Sequence, residues 1–254
     1  MLHLTIGCPF DLDIIRNFSS NINLEISFYG SPPNFILDGG RIIKENSNNF
    51  YSAIEYFKRN KIPFNLCCNS VLNSEEITLS KKLFYFLEKI YSPINGVIIS
   101  RHWIANEIKK KFPDFKYIFS SIGIITEKWD EDYIFSNYDI VVCPVNYTKN
   151  FTFLSSSENW SKLEVFLNNE CVGFGENCIK HYRYNSEVNN GKKRDVFICP
   201  NLKTVRYNLE FTKNDVIDYI KLGVKKFKII DRTSNNQNYQ HYIDLIIEAN
   251  DSLK

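Results

Sequence analysis

The chain has almost no charge of one sign to spare. Its 31 Lys and Arg stand against 29 Asp and Glu, a formal +2 over 254 residues. That balance argues against a strongly basic nucleic-acid platform, although basic residues can still cluster on one face. Long apolar runs are also missing. No window approaches about 18 uninterrupted apolar residues, and the opening MLHLTIGCPFDLD has no positive segment leading into an apolar stretch. The expectation is therefore a soluble, cytoplasmic protein with no membrane partner. A disulfide framework is not indicated, because seven cysteines, an odd number in a chain of this length, fit reduced thiols better, some of them ligating. Several catalytic signatures are absent as well. No G-x-G-x-x-G follows a strand candidate, and no G-x-x-x-x-G-K-[ST] occurs. There is no G-x-S-x-G, and SSS at 155–157 lacks the preceding glycine of a nucleophile elbow. With no H-E-x-x-H and four scattered histidines, a conventional zinc peptidase has little to build from.

What is present reads as one globular domain over 1–254, since 44% hydrophobic and 15% aromatic residues suffice for a sizeable core. Apolar, β-rich runs recur: LTIGC (4–8), LEISFYG (24–30), FNLCCN (64–69), GVIIS (96–100), YIFSSIG (117–123), IVVCPV (140–145), LEVFLN (163–168) and FKII (227–230). Their near-continuous hydrophobicity suits parallel strands covered on both faces. Helical patterns lie between them. Over 75–91, Leu79, Leu83, Phe86, Leu87 and Ile90 share one face. Over 103–112, Ile104, Ile108 and Phe112 do so, with Lys109 to Lys111 on a solvated side. Asn214 reads as a helix N-cap and Gly223 as the stop of that helix. Strand and helix alternating eight times in this length is the rhythm of an α/β (β/α)8 TIM-like barrel.

In such a barrel function sits at the C-terminal ends of the strands. Asn69 and Asn146 fall there and suit either pocket lining or helix capping. Arg41 follows two glycines in LDGGR, which suits a backbone approaching an anionic ligand with a guanidinium fork beside it, or an ion pair with Asp38. Arg232 closes the last strand, a corner that binds anions in many barrels, or pairs with Asp231. Cys171 and Cys178 are separated by six residues, and Cys199 follows in FICPN. Soft thiolates in this number suit zinc or an iron–sulfur cluster, though the spacing is not that of a zinc ribbon. His181 can serve as ligand or acid/base, or orient its loop by hydrogen bonding. Glu170 can serve as a general base or fix the strand end. Cys67 and Cys68, adjacent in a strand, point to opposite faces and read as core.

Taken in order, FYGSPPNFILDGGR (28–41), FNLCCN (64–69), NYTKNFTFL (146–154), LEVFLNNEC with CIKHYRYN, FICPN and LGVKKFKIIDR (222–232) resemble the collagenase-like peptidase family U-thirty-two, particularly its short single-barrel members. The resemblance spans nearly the whole chain. It implies a TIM-like barrel, and it implies that Cys171, Cys178 and Cys199 match positions that hold a 4Fe-4S cluster in well-studied members. Those members are oxygen-inserting enzymes that hydroxylate a ring in RNA or a quinone precursor without molecular oxygen, several with prephenate as oxygen donor. Here the segment VGFGEN lengthens the loop between the first two cysteines, and no fourth cysteine matches. Three thiolates leave one iron open, or equally bind zinc. The resemblance thus implies a redox enzyme holding an anionic co-substrate such as prephenate through Arg41 and Arg232, with a ring stacked on Tyr29, Tyr182 or Tyr184. Two other readings stand beside it. One is a metal-dependent peptidase with Glu170 and His181 as acid/base. The other is a non-catalytic subunit paired with a related cluster-bearing barrel. A small molecule or peptide ranks above structured RNA, because RNA-modifying relatives carry additional domains.

Overall fold

The structure, a computed structural model, describes residues 1–19, 23–43, 47–144, 147–149, 157–169, 175–198, 209–230 and 236–254. The chain begins β1 (His3–Gly7), α1 (Leu12–Ser19), β2 (Glu25–Gly30), α2 (Ser47–Asn60), β3 (Phe64–Cys68), α3 (Lys81–Ile90). It continues β4 (Gly96–Ile99), α4 (His102–Lys109), β5 (Lys116–Phe119), α5 (Gly123–Thr126), α6 (Glu131–Asn137), β6 (Ile140–Val142), β7 (Leu163–Phe166). The last part is β8 (Asn168–Asn169), α7 (Glu176–Asn189), β9 (Leu209–Glu210), α8 (Lys213–Lys221), β10 (Lys226–Ile229) and α9 (Asn236–Asp251). Eight of these strands close a barrel in the order β1-β10-β7-β6-β5-β4-β3-β2, every pair parallel. The remaining two, β8 and β9, form a small antiparallel ribbon. This is a (β/α)8 TIM barrel.

Apolar strands close into a barrel because both of their faces are covered. Residues that point outward, among them Leu4, Phe28, Leu66, Val97, Phe119, Val165 and Phe227, are sealed beneath the helices. Each contributes roughly 1.5–3 kcal/mol of burial. Cys68 belongs to this outer layer and Cys67 to the barrel interior, the opposite faces that strand geometry requires. The interior is divided. Cys67, Ile98, Ile118, Ile140, Val142 and Phe166 pack together on one side. On the other side Lys228 Nζ donates to Glu164 Oε2 at 2.9 Å, Thr5 Oγ1 donates to Glu164 Oε1 at 2.5 Å, and His3 Nε2 lies 2.7 Å from Ser27 Oγ.

Local signals explain most boundaries; the helix expected over 103–112 runs His102–Lys109, and two further expectations differ. The helix expected over 75–91 starts at Lys81. Asn73 and Glu76 lock a preceding turn by Asn73 N donating to Glu76 Oε2 and Glu76 N to Asn73 O, and Ser80 then caps the helix by accepting from Leu83 N at 3.3 Å. Leu79 packs on the core from outside the helix. The cap of α8 is Thr212 rather than Asn214: its hydroxyl accepts from Asp215 N while Asp215 accepts from Thr212 N, a reciprocal capping box. Gly223, at φ +99°, does end that helix. Lys109, Lys110 and Lys111 lie on an exposed face. No helix among the described residues is long and apolar enough to cross a membrane.

Candidate functional site at the barrel mouth

The C-terminal ends of β2 and β3 are crossed by α7, a helix with no apolar stripe. Its buried residues are Asn185, Ser186, Glu187 and Asn189, all polar, so hydrogen bonds rather than hydrophobic burial seat it. Asn189 Nδ2 donates to the carbonyls of Asp38 (2.7 Å) and Arg41 (2.8 Å), and Asn185 Nδ2 donates to Gly40 O at 3.1 Å. Ser186 Oγ accepts from Val71 N at 3.2 Å. Gly39 sits where three segments meet. A Cβ there would stand 2.5 Å from Asn69 O and 2.8 Å from Ser186 Oγ, so no side chain fits.

Asp38, buried, organises the loop beneath the helix. Its carboxylate accepts from Ser31 Oγ, from Gly40 N (2.7 Å) and from Arg41 N (3.3 Å). Asn69 Oδ1 accepts from Gly39 N at 3.0 Å, tying the β3 end to the same loop. Tyr182 comes down from α7 towards this cradle, its hydroxyl 3.7 Å from the place a Cβ on Gly40 would occupy. Burial holds its phenol well above the usual range, and the fields of Asp38, Cys67, Cys178 and Tyr29 add to the effect. Tyr29 lies deeper, inside the barrel, with its hydroxyl donating to Ile229 O at 3.3 Å and Lys228 Nζ 4.2 Å from its ring centroid.

The start of α7 carries Cys178. Gly175 precedes the helix at φ +116°, a conformation that suits glycine, and Cys178 N donates to its carbonyl at 3.0 Å. Cys178 is half-buried, whereas Cys8, Cys67, Cys68 and Cys143 are buried. Burial pushes the Cys143 thiol to about 12, and burial, then Cys67 and Asp38, raises Cys68. Those two stay protonated at neutral pH and are poor ligands. One turn beyond Cys178, His181 stacks on Phe197, ring centroids 5.7 Å apart and 18° from parallel. Burial lowers the His181 pKa, which keeps the imidazole neutral near pH 7. Farther along, Glu187 accepts from Arg194 at 2.8 Å and pairs with Arg183 and Lys192. These cations outweigh the burial that would raise its carboxyl, so its pKa is lowered. Residues 192–198 are thereby fastened along α7.

The structure thus brings together Asn69, Tyr182, Cys178 and the backbone of Arg41, whose side chain is exposed, and places His181 on the same helix. Glu170, Cys171, Asn146, Cys199 and Arg232 lie outside the described residues. Among the described residues no group of three His, Cys, Asp or Glu side chains is set to hold a metal ion. Arg101, at the end of β4, is engaged by Thr126 O, Asn73 Oδ1 and Glu127 and is structural. Ser31, Asp38 and the polar face of α7 were not singled out as site residues from sequence. The signal for the helix was its lack of an apolar period over YNSEVN, and for Asp38 the glycine pair that follows it.

No protein-family model and no curated protein matches the sequence. Among solved structures, one described as the U32 peptidase Mk0906 superposes with a TM-score of 0.58 at 10% identity, over 90% of this chain and 92% of that one. The two share a fold. That solved structure carries the name of the family whose motifs this sequence resembles, and the likeness at this identity concerns the barrel architecture.

Proposed function

We propose that this chain is a peptidase U-thirty-two-type barrel that works as an iron–sulfur-dependent redox enzyme, inserting oxygen into a ring substrate at the mouth beneath α7. The observation that carries this reading is the His181–Phe197 stack. It holds the chain two residues before Cys199 against the helix that bears Cys178, so two of the three candidate ligands arise from flanks in contact. Cys178 fits a ligand role in its own right, as a half-buried thiol on the first turn of a fourteen-residue helix whose N-terminal dipole favours the thiolate. Cys171, Cys178 and Cys199 would hold a 4Fe-4S group, which when bound supplies redox chemistry with one iron open. The chain's own residues do the rest. Tyr182, kept as a neutral phenol, is a hydrogen-bond donor at the mouth. Asn69 and Asp38 fix the loop that faces it, and the polar seat of α7 closes the site from bulk water. Arg41, exposed at the rim, would steer an anionic co-substrate such as prephenate.

One observation favours a second reading. His181, neutral and half-buried beside Cys178, also suits a zinc ligand or the base of a hydrolase. Anaerobic purification followed by iron, sulfide and zinc analysis decides between them. The redox reading expects a brown protein with about four irons per chain, and loss of the visible absorbance in Cys178→Ser with far-ultraviolet dichroism unchanged. A colourless protein that co-purifies with zinc and resists anaerobic reconstitution would overturn it in favour of the hydrolase.

A further inference from the structure

A cleft of about 320 Å³ opens at the far end of the barrel from the mouth, across the N-terminal ends of β2, β3, β4 and β5. We infer that it is a second ligand site, for a small aliphatic carboxylate whose charge is taken by Lys61 and Lys116. The inference goes beyond the proposed function and does not rest on it, since the two sites lie at opposite ends of the strands.

Four observations point to that occupant. Side chains alternate along a strand, so His3, Glu25, Lys116 and Lys226 face inward at the barrel floor, two residues before Thr5, Ser27, Ile118 and Lys228, whose contacts lie inside. Lys116 is half-buried there. Among the described residues its ammonium has neither a hydrogen-bond nor an ion-pair partner, although His3 and Lys226 stand in its field. Lys226 is committed elsewhere, donating to Ser161 O at 2.9 Å. A cation set beside another, short of a carboxylate, gains from an anion. Second, Lys61 stands where a helix end favours glycine. α2 closes in a Schellman turn, with Ile62 N donating to Phe57 O at 2.9 Å and Lys61 N to Lys58 O at 3.4 Å, and Lys61 takes the left-handed position at φ +54°. Such backbone strain gathers at binding sites, and here it sets an ammonium on the cleft with no partner among the described residues. Third, the charges of the cleft do not cancel. Lys61 and Lys116 against Glu25 leave one positive charge over, and Ser20, Asn21 and Ile22, which follow the lining residue Ser19 in the chain, are uncharged by type. A monoanion matches that excess, whereas a doubly charged phosphate would meet the Glu25 carboxylate as well. Fourth, the wall also includes Ile62, Pro63 and Ile94, the last 37% exposed, so an apolar body behind the carboxylate gains where a bare ion does not. The volume lies at the low end for ligand pockets and suits a body of a few carbons.

The test titrates the full chain with isovalerate, followed by amide chemical shifts, with isovaleramide as its uncharged twin and inorganic phosphate as a bare ion. A ligand this small is expected to bind with Kd on the order of 5 mM. The expected result is saturable binding that perturbs the amides of Lys61, Ile94 and Lys116, weakens with added salt, and is at least about tenfold tighter than that of isovaleramide or phosphate. Lys116→Met keeps the aliphatic stem and removes the charge, and is expected to weaken isovalerate about fivefold or more at unchanged Tm. Lys61→Gly is the more telling variant. It relieves the left-handed backbone, so Tm holds or rises while the affinity falls about threefold or more, a split that a merely structural lysine would not give. If Lys116→Met does not fold, Lys61→Gly decides. No saturable binding, shifts mapping to the mouth instead, isovaleramide or phosphate bound as tightly as isovalerate, or an affinity untouched by both lysine variants would overturn the inference. Iron content and visible absorbance play no part in these readouts, so the site and the cluster reading stand or fall separately.

Discussion

On one side of the barrel axis, β3 to β6 fill the interior with Cys67, Ile98, Ile118, Ile140 and Val142. On the other, β1, β2, β7 and β10 bring His3, Thr5, Ser27, Glu164 and Lys228 into a polar network, while Tyr29 of β2 and Phe166 of β7 join the apolar cluster. Both halves are equally dry, with Ile118 and Glu164 each 1% exposed. They are stabilised by opposite means. The apolar half gains from water release and close packing, and a lost atom there is a lost contact. In the polar half, gain comes only when every group finds its partner, because each ion or dipole left alone in that medium is a large liability. The barrel is therefore most brittle in its polar half. The Lys228–Glu164 pair bridges two neighbouring strands, next to the seam where β10 closes on β1.

The largest expected effect belongs to Glu164→Leu. It leaves the buried Lys228 ammonium without its carboxylate and is expected to destabilise by about 3–5 kcal/mol, with Glu164→Leu/Lys228→Met recovering most of the loss; urea unfolding of the double-mutant cycle measures both. A neutral single variant would mean that the pair does not hold this half. Next in size is Ile118→Ala in the apolar half, expected to lose about 2–4 kcal/mol with no rescue by a charge change elsewhere. If its loss varied steeply with pH, the two halves would not be separate. The smallest effect concerns His3, whose pKa is lowered by burial, against which Glu164 and Glu25 act in the raising direction. The unfolded chain then takes up a proton first, so stability is unaffected above the ordinary imidazole value of 6.5 and falls as pH drops from there towards the folded value. His3→Gln should flatten that part of the curve of Tm against pH, while Ile118→Ala should leave its shape alone.

The same division explains what could be read from the sequence. The eight strands were legible because IVV, GVII and FNLCC are continuous apolar runs, the mark of parallel strands under helices. Their inward half was less so. HLTIG and KFKI alternate polar and apolar and LEVF carries a single Glu164, the pattern of a strand with one wet face, yet here the polar groups turn inward and are satisfied across strands. No local pattern announces a partner 159 residues away, as Glu164 is for Thr5. At the mouth, Asn69, Tyr182 and Cys178 were accessible to reasoning because strand ends and the cysteine spacing marked them. Asp38 and Asn189 were not, since their importance lies in who meets whom. Thr212 and Asn214 are both good capping residues by type, and the reciprocal bond to Asp215, invisible in the local pattern, decides for Thr212.

The seating of α7 also has a bearing on how the protein is made. Asn189 reaches back 151 residues to the Asp38 carbonyl, and Asn185 reaches 145 to Gly40. On the ribosome the first three strands emerge long before those two amides do. For most of synthesis the loop of Asp38 and Gly39 therefore faces water or chaperone rather than helix, and a chain stalled before residue 185 has its early strands in hand but no roof over them.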